Sequence, residues 1–238
     1  MIPKVIHYCW FGGNPLPNDV KKCIASWKKY CPEYKIVKWD EKSFDVKSHP
    51  FCKKAYEEKK WAFVSDYARL KIIYDNGGIY LDTDVELLKK PDFLLEHKFY
   101  AASQQLEGLC NTGLGFGAEK KNETVKKMLD IYDEVEFKAD ILGQIQCPRL
   151  NSKVLNEYGF SENNTTKVQT VGDRSFVYPP KYFDPLAPGT SESLVCNDTV
   201  SIHHYSASWT GGKQRLKRRI IRFIGQDKVM KLKRLLKR

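Results

Sequence analysis

Ile79, Tyr80 and Leu81 form an apolar run that leads straight into Asp82-Thr83-Asp84, two carboxylates one residue apart. Aspartate is poorly suited to strands and is seldom buried without a partner, so this run must end where both acids can reach water or a cation. At a strand end, two such carboxylates can share one hard divalent ion, and oxygen donors suit Mg²⁺ or Mn²⁺ carrying substrate phosphates. An Asp-x-Asp alone is a common accident of sequence, and two exposed turn acids would read the same way. Its surroundings decide the matter. Trp61 to Tyr74 has helical character and places Asp66 and Arg69 three residues apart on one surface. Asn76-Gly77-Gly78 ends that helix, glycine taking the left-handed conformation common at helix C-termini. The helix therefore delivers an acid and an arginine beside the strand that delivers the carboxylates. An acid can bind sugar or ribose hydroxyls, and an arginine sugar oxygens or phosphate.

These residues, Ser65-Asp66-x-x-Arg69 followed by Gly77-Gly78-Ile79-Tyr80-Leu81-Asp82-x-Asp84, resemble the DXD-containing sugar transferases of glycosyltransferase family 32. The same spacing is similar to the catalytic core of the large clostridial glucosylating toxins. Two further segments agree. The opening Ile2 to Gly12 resembles the family's first strand, whose tryptophan, here Trp10, lies against the nucleotide base. Ile202-His203-His204-Tyr205-Ser206-Ala207-Ser208-Trp209 resembles its closing His-rich, Ser-x-Trp segment. The likeness runs from residue 2 to about 212 and is loose between about 120 and 195.

The resemblance implies a single GT-A domain, an α/β nucleotide-sugar fold with a mainly parallel sheet, over residues 1–212. It implies that Asp84 is the direct metal ligand and that Asp82 acts through water or on the ribose. A C-terminal ligand would be His204, although alternation along a strand puts His203 and His204 on opposite faces, so only one can face the ion. Asp66 and Arg69 would orient the donor sugar, and Tyr80 would pack below it or fill core. Trp209, followed by Gly211 and Gly212, suits a lid whose indole N–H donates to the leaving diphosphate. Asn111 and Gln144 are candidates for sugar or acceptor hydroxyls. The activity implied is metal-dependent transfer of a hexose from a nucleotide diphospho-sugar, a UDP-sugar with Mn²⁺ or Mg²⁺, with retention of configuration. The acceptor would be a glycan, lipid-linked in bacterial surface polysaccharide synthesis.

Alternation of strands and helices supports the same architecture. Strands are expected at 4–10, 34–39, 79–81, 85–88, 99–102 and 113–117, and helices at 19–30, 51–58, 61–74 and 124–135. In such sheets ligands bind beyond the carboxyl ends of the strands, where Trp10 and the carboxylate pair both fall. The Gly113 to Gly117 run lacks dinucleotide-fingerprint spacing and is expected to be a strand lining the acceptor cleft.

Charge separates the tail from the body. Of 40 Lys and Arg, twelve lie from Lys213 onward against one acid, Asp227, so all of the formal +11 sits there. Leu216, Ile220, Phe223 and Ile224 form one apolar helical face among these bases, and Val229, Leu232, Leu235 and Leu236 repeat the plan after Gly225. Residues 213–238 thus read as an amphipathic segment that binds an anionic membrane surface, placing the protein at the cytoplasmic face of a bacterial membrane. Basic stripes also bind phosphate backbones, but no nucleic-acid motif accompanies a neutral body, so no nucleic-acid partner is expected. No run approaches a membrane span, and the first residues form no secretory signal. Seven cysteines without a Cys-x-x-Cys pair suit a reduced compartment. Two other classes stay open: a protein-modifying effector, disfavoured because no translocation region is visible, and a non-catalytic basic binding module, disfavoured by the intact acid and arginine set.

Overall fold

The computed structural model describes residues 1–206; the expected tail, 213–238, and Trp209 lie outside the described residues. A seven-stranded sheet in the order β2-β1-β3-β6-β5-β8-β7 organises the protein. Its strands are β1 (Val5–Cys9), β2 (Lys35–Trp39), β3 (Gly78–Tyr80), β5 (Phe99–Ala102), β6 (Phe116–Ala118), β7 (Gln169–Gly172) and β8 (Ser175–Tyr178). β1 pairs parallel with β2 and β3, and β5 pairs parallel with β8. β6 runs against both β3 and β5, and β7 runs against β8 at the edge. Five of the seven strands therefore point the same way. A separate two-stranded ribbon joins β4 (Val85–Leu87) to β9 (Ser201–His203).

Side-chain alternation divides the apolar residues into two cores. Cys9, Tyr80, Phe99, Ala101 and Phe116 face one layer, built with helices α2 (Pro50–Glu57), α3 (Trp61–Asn76), α4 (Glu123–Asp130) and α5 (Cys147–Asn156). Ile6, Tyr8, Ile79, Leu81, Tyr100 and Ala102 face the other, covered by α1 (Asn18–Tyr30), the ribbon and the short α6 (Pro180–Phe183). Trp27 of α1 is wholly buried there and donates its indole N–H to the Val85 carbonyl at 2.8 Å. Burying so large a ring stabilises by roughly 2–3 kcal/mol, and its polar handle pins the strand that follows the carboxylate pair.

Gly77, at φ 69°, closes α3 and donates to the Ile73 carbonyl at 2.8 Å. A Cβ there would stand 2.9 Å from the Lys120 nitrogen, so a side chain is excluded by space as well as by conformation. The chain then turns directly into β3. Two expectations are corrected at this level. The strand expected over 113–117 begins only at Phe116, because residues 112–114 form a turn. The helix expected over 124–135 ends at Asp130 and continues as a 3₁₀ turn, Ile131–Asp133. Among the described residues the cysteines are unpaired, and all but Cys196 are buried.

Candidate active site

β3 leaves the sheet with its ladder still running, the Leu81 N–H donating to the His7 carbonyl at 3.1 Å. Asp82 to Val85 then forms a turn, closed by Val85 N–H to the Asp82 carbonyl at 3.0 Å. That turn projects both carboxylates at the end of the strand. Because β1 and β3 are parallel neighbours, Trp10 emerges at the same edge of the sheet. Its half-buried ring packs on the second core, and its indole N–H donates to the Asn14 carbonyl at 2.6 Å.

Two groups of side chains converge on the turn. From α3, the Arg69 guanidinium lies between Asp66 at 2.8 Å and Asp82 at 3.2 Å, with only 4 % of its side chain exposed. It sits over the Tyr80 ring at 5.1 Å, and the Tyr80 hydroxyl donates to Asp82 Oδ1 at 3.0 Å. Tyr80 is 1 % exposed, so it is a core residue that also orients a site carboxylate. A buried arginine without these acids would be strongly unfavourable, and each acid satisfies part of it. From β9, His203 Nε2 lies 3.0 Å from Asp84 Oδ1. Ser206 gives Asp84 Oδ2 two hydrogen bonds, from its N–H at 2.8 Å and its hydroxyl at 3.1 Å.

His203, rather than the expected His204, therefore joins the carboxylates. The antiparallel register sets Val85 opposite His203, and the next residue points the other way: His204 Nε2 meets Glu86 at 2.8 Å. Asp82, Asp84 and His203 bring one ligand atom each within 4.8 Å of one another. Two carboxylate oxygens and an imidazole nitrogen are donors that a divalent cation could share. The His203 Nδ1 atom is buried without a hydrogen-bond partner among the described residues. Among the described residues the three acids outnumber Arg69 and His203, and such an ion would balance the remaining negative charge.

Titration follows this geometry. Burial pushes Asp66 up to about 6 against the opposing pull of Arg69. Burial also raises Asp82, with Arg69 opposing. For Asp84 burial acts in the same direction, but the His203 charge and the Ser206 hydrogen bonds overcome it and hold the carboxyl below the usual range. His203 is raised in turn by Asp84 although burial opposes.

Asn111 comes near the cluster through its turn, its Oδ1 accepting the Gly113 N–H at 2.8 Å. Gln144 is exposed, with its N–H bonded to the Ile141 carbonyl at 2.8 Å, and it makes no hydrogen bond to the cluster among the described residues. Sequence reasoning missed what stands behind the acids. Cys147, at the start of α5, places its thiol 3.1 Å from both Thr112 and Asn151 and 3.7 Å from Arg69 Nη1. Its backbone N–H also supports Asp66. Gly113 has no space for a side chain: a Cβ would lie 2.4 Å from Asp82 Oδ2 and 3.0 Å from Arg69 Nη1. A proline at the second position of α5 was the available signal for that helix. Ser206 stood in the Ser206-Ala207-Ser208-Trp209 run without an assigned role.

Comparison with known proteins gives the same region. Residues 17–100 match the family described as a glycosyltransferase sugar-binding region containing a DXD motif. Over 228 residues the chain is 27 % identical to an uncharacterized glycosyltransferase of Acanthamoeba polyphaga mimivirus, covering 88 % of this chain and 84 % of that one. It is 29 % identical over 123 residues to inositol phosphoceramide mannosyltransferase 3 of Schizosaccharomyces pombe, covering 48 % of this chain but only 33 % of that protein. Its fold is similar to that of the PaToxG glycosyltransferase, with a TM-score of 0.51 at 18 % identity over 66 % of this chain and 69 % of that one.

Proposed function

We propose that this chain, which carries the sugar-binding region of the DXD-containing glycosyltransferases, is a metal-dependent retaining hexosyltransferase using a nucleotide diphospho-sugar, a UDP-sugar, as donor. The observation that carries the proposal is the convergence of Asp82, Asp84 and His203 within 4.8 Å beside the Asp66–Arg69 pair. A bound Mn²⁺ or Mg²⁺ would supply Lewis-acid stabilisation of the charge developing on the leaving diphosphate. The chain's own residues do the rest. Trp10 offers its ring to the base at the edge of the sheet. Asp66, fixed by Arg69 and the Cys147 N–H, accepts from sugar hydroxyls and holds the anomeric carbon so that the acceptor attacks on the face the diphosphate leaves. The acceptor oxygen bonds to that carbon as the bond to the diphosphate oxygen breaks. The departing phosphate oxygen then takes the acceptor's proton, so no separate general base is required.

The acceptor proposed is a glycan, lipid-linked in bacterial surface polysaccharide synthesis, with residues 213–238 holding the enzyme at the cytoplasmic membrane face. The name of the yeast relative favours a second donor, a guanine nucleotide carrying mannose. In the experiment, the folded protein is incubated with UDP- and GDP-sugars and Mn²⁺, and released diphosphate is measured. Wild type should hydrolyse one donor slowly. Asp84→Ala should lose at least a hundredfold of that rate while keeping its circular dichroism spectrum. Full activity in excess EDTA, or in Asp84→Ala, would overturn the metal-dependent reading, and a preference for GDP-mannose would replace the uridine donor.

A further inference from the structure

A cavity of about 450 Å³ opens beside the carboxylate cluster, a size within the range of small-ligand sites. Its walls come from three separated stretches: Leu106 and Leu109 from the turn after β5, Pro148 from the start of α5, and Ala187 with Pro188 from the loop after α6. Tyr205 also lines it. That tyrosine ring packs edge-on against His203 at 4.1 Å, and the next residue, Ser206, holds Asp84. One ring thus forms a wall of the cavity and touches the candidate ligand set.

The cavity is built in advance of any ligand. The Gln104 N–H closes the turn on the Leu109 carbonyl at 2.8 Å. Gly108, at φ 65°, lies so close to the Glu162 carbonyl that an added Cβ would stand 2.0 Å from it. Gln105 ties the turn to the opposite wall, its N–H donating to Asp184 at 2.8 Å and its side-chain oxygen accepting from the Ala187 N–H at 2.9 Å. Asp184 also accepts from the Tyr205 hydroxyl at 2.8 Å. The turn, the loop after α6 and Tyr205 are therefore fixed to one another, which lowers the ordering cost of binding.

The lining selects the chemistry. It is mainly apolar, with two amides, Gln104 and Gln146, and one acid, Glu107, and no lysine or arginine lines the cavity among the described residues. Arg149 lies 3.9 Å from Glu107, so the cation beside this lining is already offset by its acid. The lining matches a neutral sugar ring, whose C–H faces pack on tyrosine, proline and leucine while amides and carboxylate meet its hydroxyls. We propose that this cavity receives a neutral glycosyl residue of the acceptor and presents its hydroxyl past Tyr205 to the donor site. The inference rests on the glycosyltransferase reading above. It also implies that any diphosphate of a lipid-linked acceptor stays outside this cavity.

Two measurements keep the readings apart. Thermal shift with uridine or guanosine diphosphate and Mn²⁺ reports the donor site. Saturation-transfer NMR with the α- and β-methyl glycosides of glucose, galactose and mannose, and with glucose 6-phosphate, reports the cavity. At least one methyl glycoside should receive saturation at millimolar concentration. Leu106→Arg should weaken that binding at least tenfold; Leu106 is 45 % exposed, so the substitution threatens the fold little. Absence of binding by all six methyl glycosides would overturn the proposal. So would wild-type binding by a Leu106→Arg protein of unchanged circular dichroism, or tighter binding of glucose 6-phosphate than of either methyl glucoside. Glycoside binding without any nucleotide response would leave the cavity standing and remove the transferase reading instead.

Discussion

His7 illustrates how one side chain joins strand, helix end and pH. Its Nδ1 accepts from the Trp39 indole at 3.0 Å and its Nε2 donates to the Gly77 carbonyl at 3.0 Å. Indole can only donate and a carbonyl only accept, so the neutral tautomer is dictated by its partners. Burial lowers its pKa from 6.5 to about 4. The unfolded chain therefore takes up this proton first. The stability that neutral His7 contributes is complete above pH 6.5 and is lost as pH falls toward 4. Between pH 7.5 and 5 that loss is about 2 kcal/mol, at 1.36 kcal/mol per pH unit. His7→Gln keeps an acceptor and a donor but cannot titrate in this range, so its urea-unfolding free energy should fall about 2 kcal/mol less than wild type between those pH values. Asp66, raised to about 6, titrates with the opposite sign, since the folded state there takes the proton first. It is present in both proteins and cancels in the difference. Equal pH slopes in the two proteins would show that His7 does not carry this dependence.

At the scale of elements, the site is a junction of one turn, one helix and one ribbon. The turn at residues 111–114 buttresses Asp82 from behind, because Gly113 leaves no gap between it and the carboxylate. Gly113→Ala should cost about 1–3 kcal/mol of stability through overpacking. Pushing Asp82 away should also lower Mn²⁺ affinity at least tenfold by isothermal titration. Unchanged affinity in a folded Gly113→Ala protein would mean that the turn does not set the position of Asp82. The sequence made α3, β3 and the two carboxylates readable because glycine punctuation, an apolar run and paired acids follow the helix within eight consecutive residues, Gly77 to Asp84. It could not choose between His203 and His204. That choice depends on the register of β9 against a strand more than a hundred residues earlier, and Tyr205, at φ 47°, ends the regular alternation just beyond. The 113–117 run misled for a related reason. Glycine and apolar residues serve a turn beside a buried ion pair as readily as a strand, and only the neighbouring carboxylate distinguishes them. Between 138 and 195 the chain holds short elements whose apolar residues answer to tertiary neighbours. α5, β7 and β8 consequently left weak periodic signals.

At the scale of the whole molecule, charge and chemistry occupy different parts of the chain. Among the described residues no helix is long and apolar enough to cross a membrane, whereas twelve bases follow residue 212. Cutting the chain after Gly212 should abolish sedimentation with anionic liposomes and spare donor hydrolysis, and binding by the full chain should weaken as salt rises. Undiminished sedimentation of the shortened protein would overturn the anchoring role. Loss of hydrolysis without unfolding would instead assign the tail to the active site. The reach of the ribbon has a consequence in time as well as in space. Ser206 lies 122 residues after the Asp84 carboxylate it holds. At a synthesis rate of roughly 5–20 residues per second, about 6–24 s separate the emergence of the acid from that of its partner. Throughout that interval Arg69 is already available to Asp82, while Asp84 has neither His203 nor Ser206. The nascent chain is thus born with half of its charge arrangement in place, and it acquires the other half only once the β9 strand and Ser206 have been made.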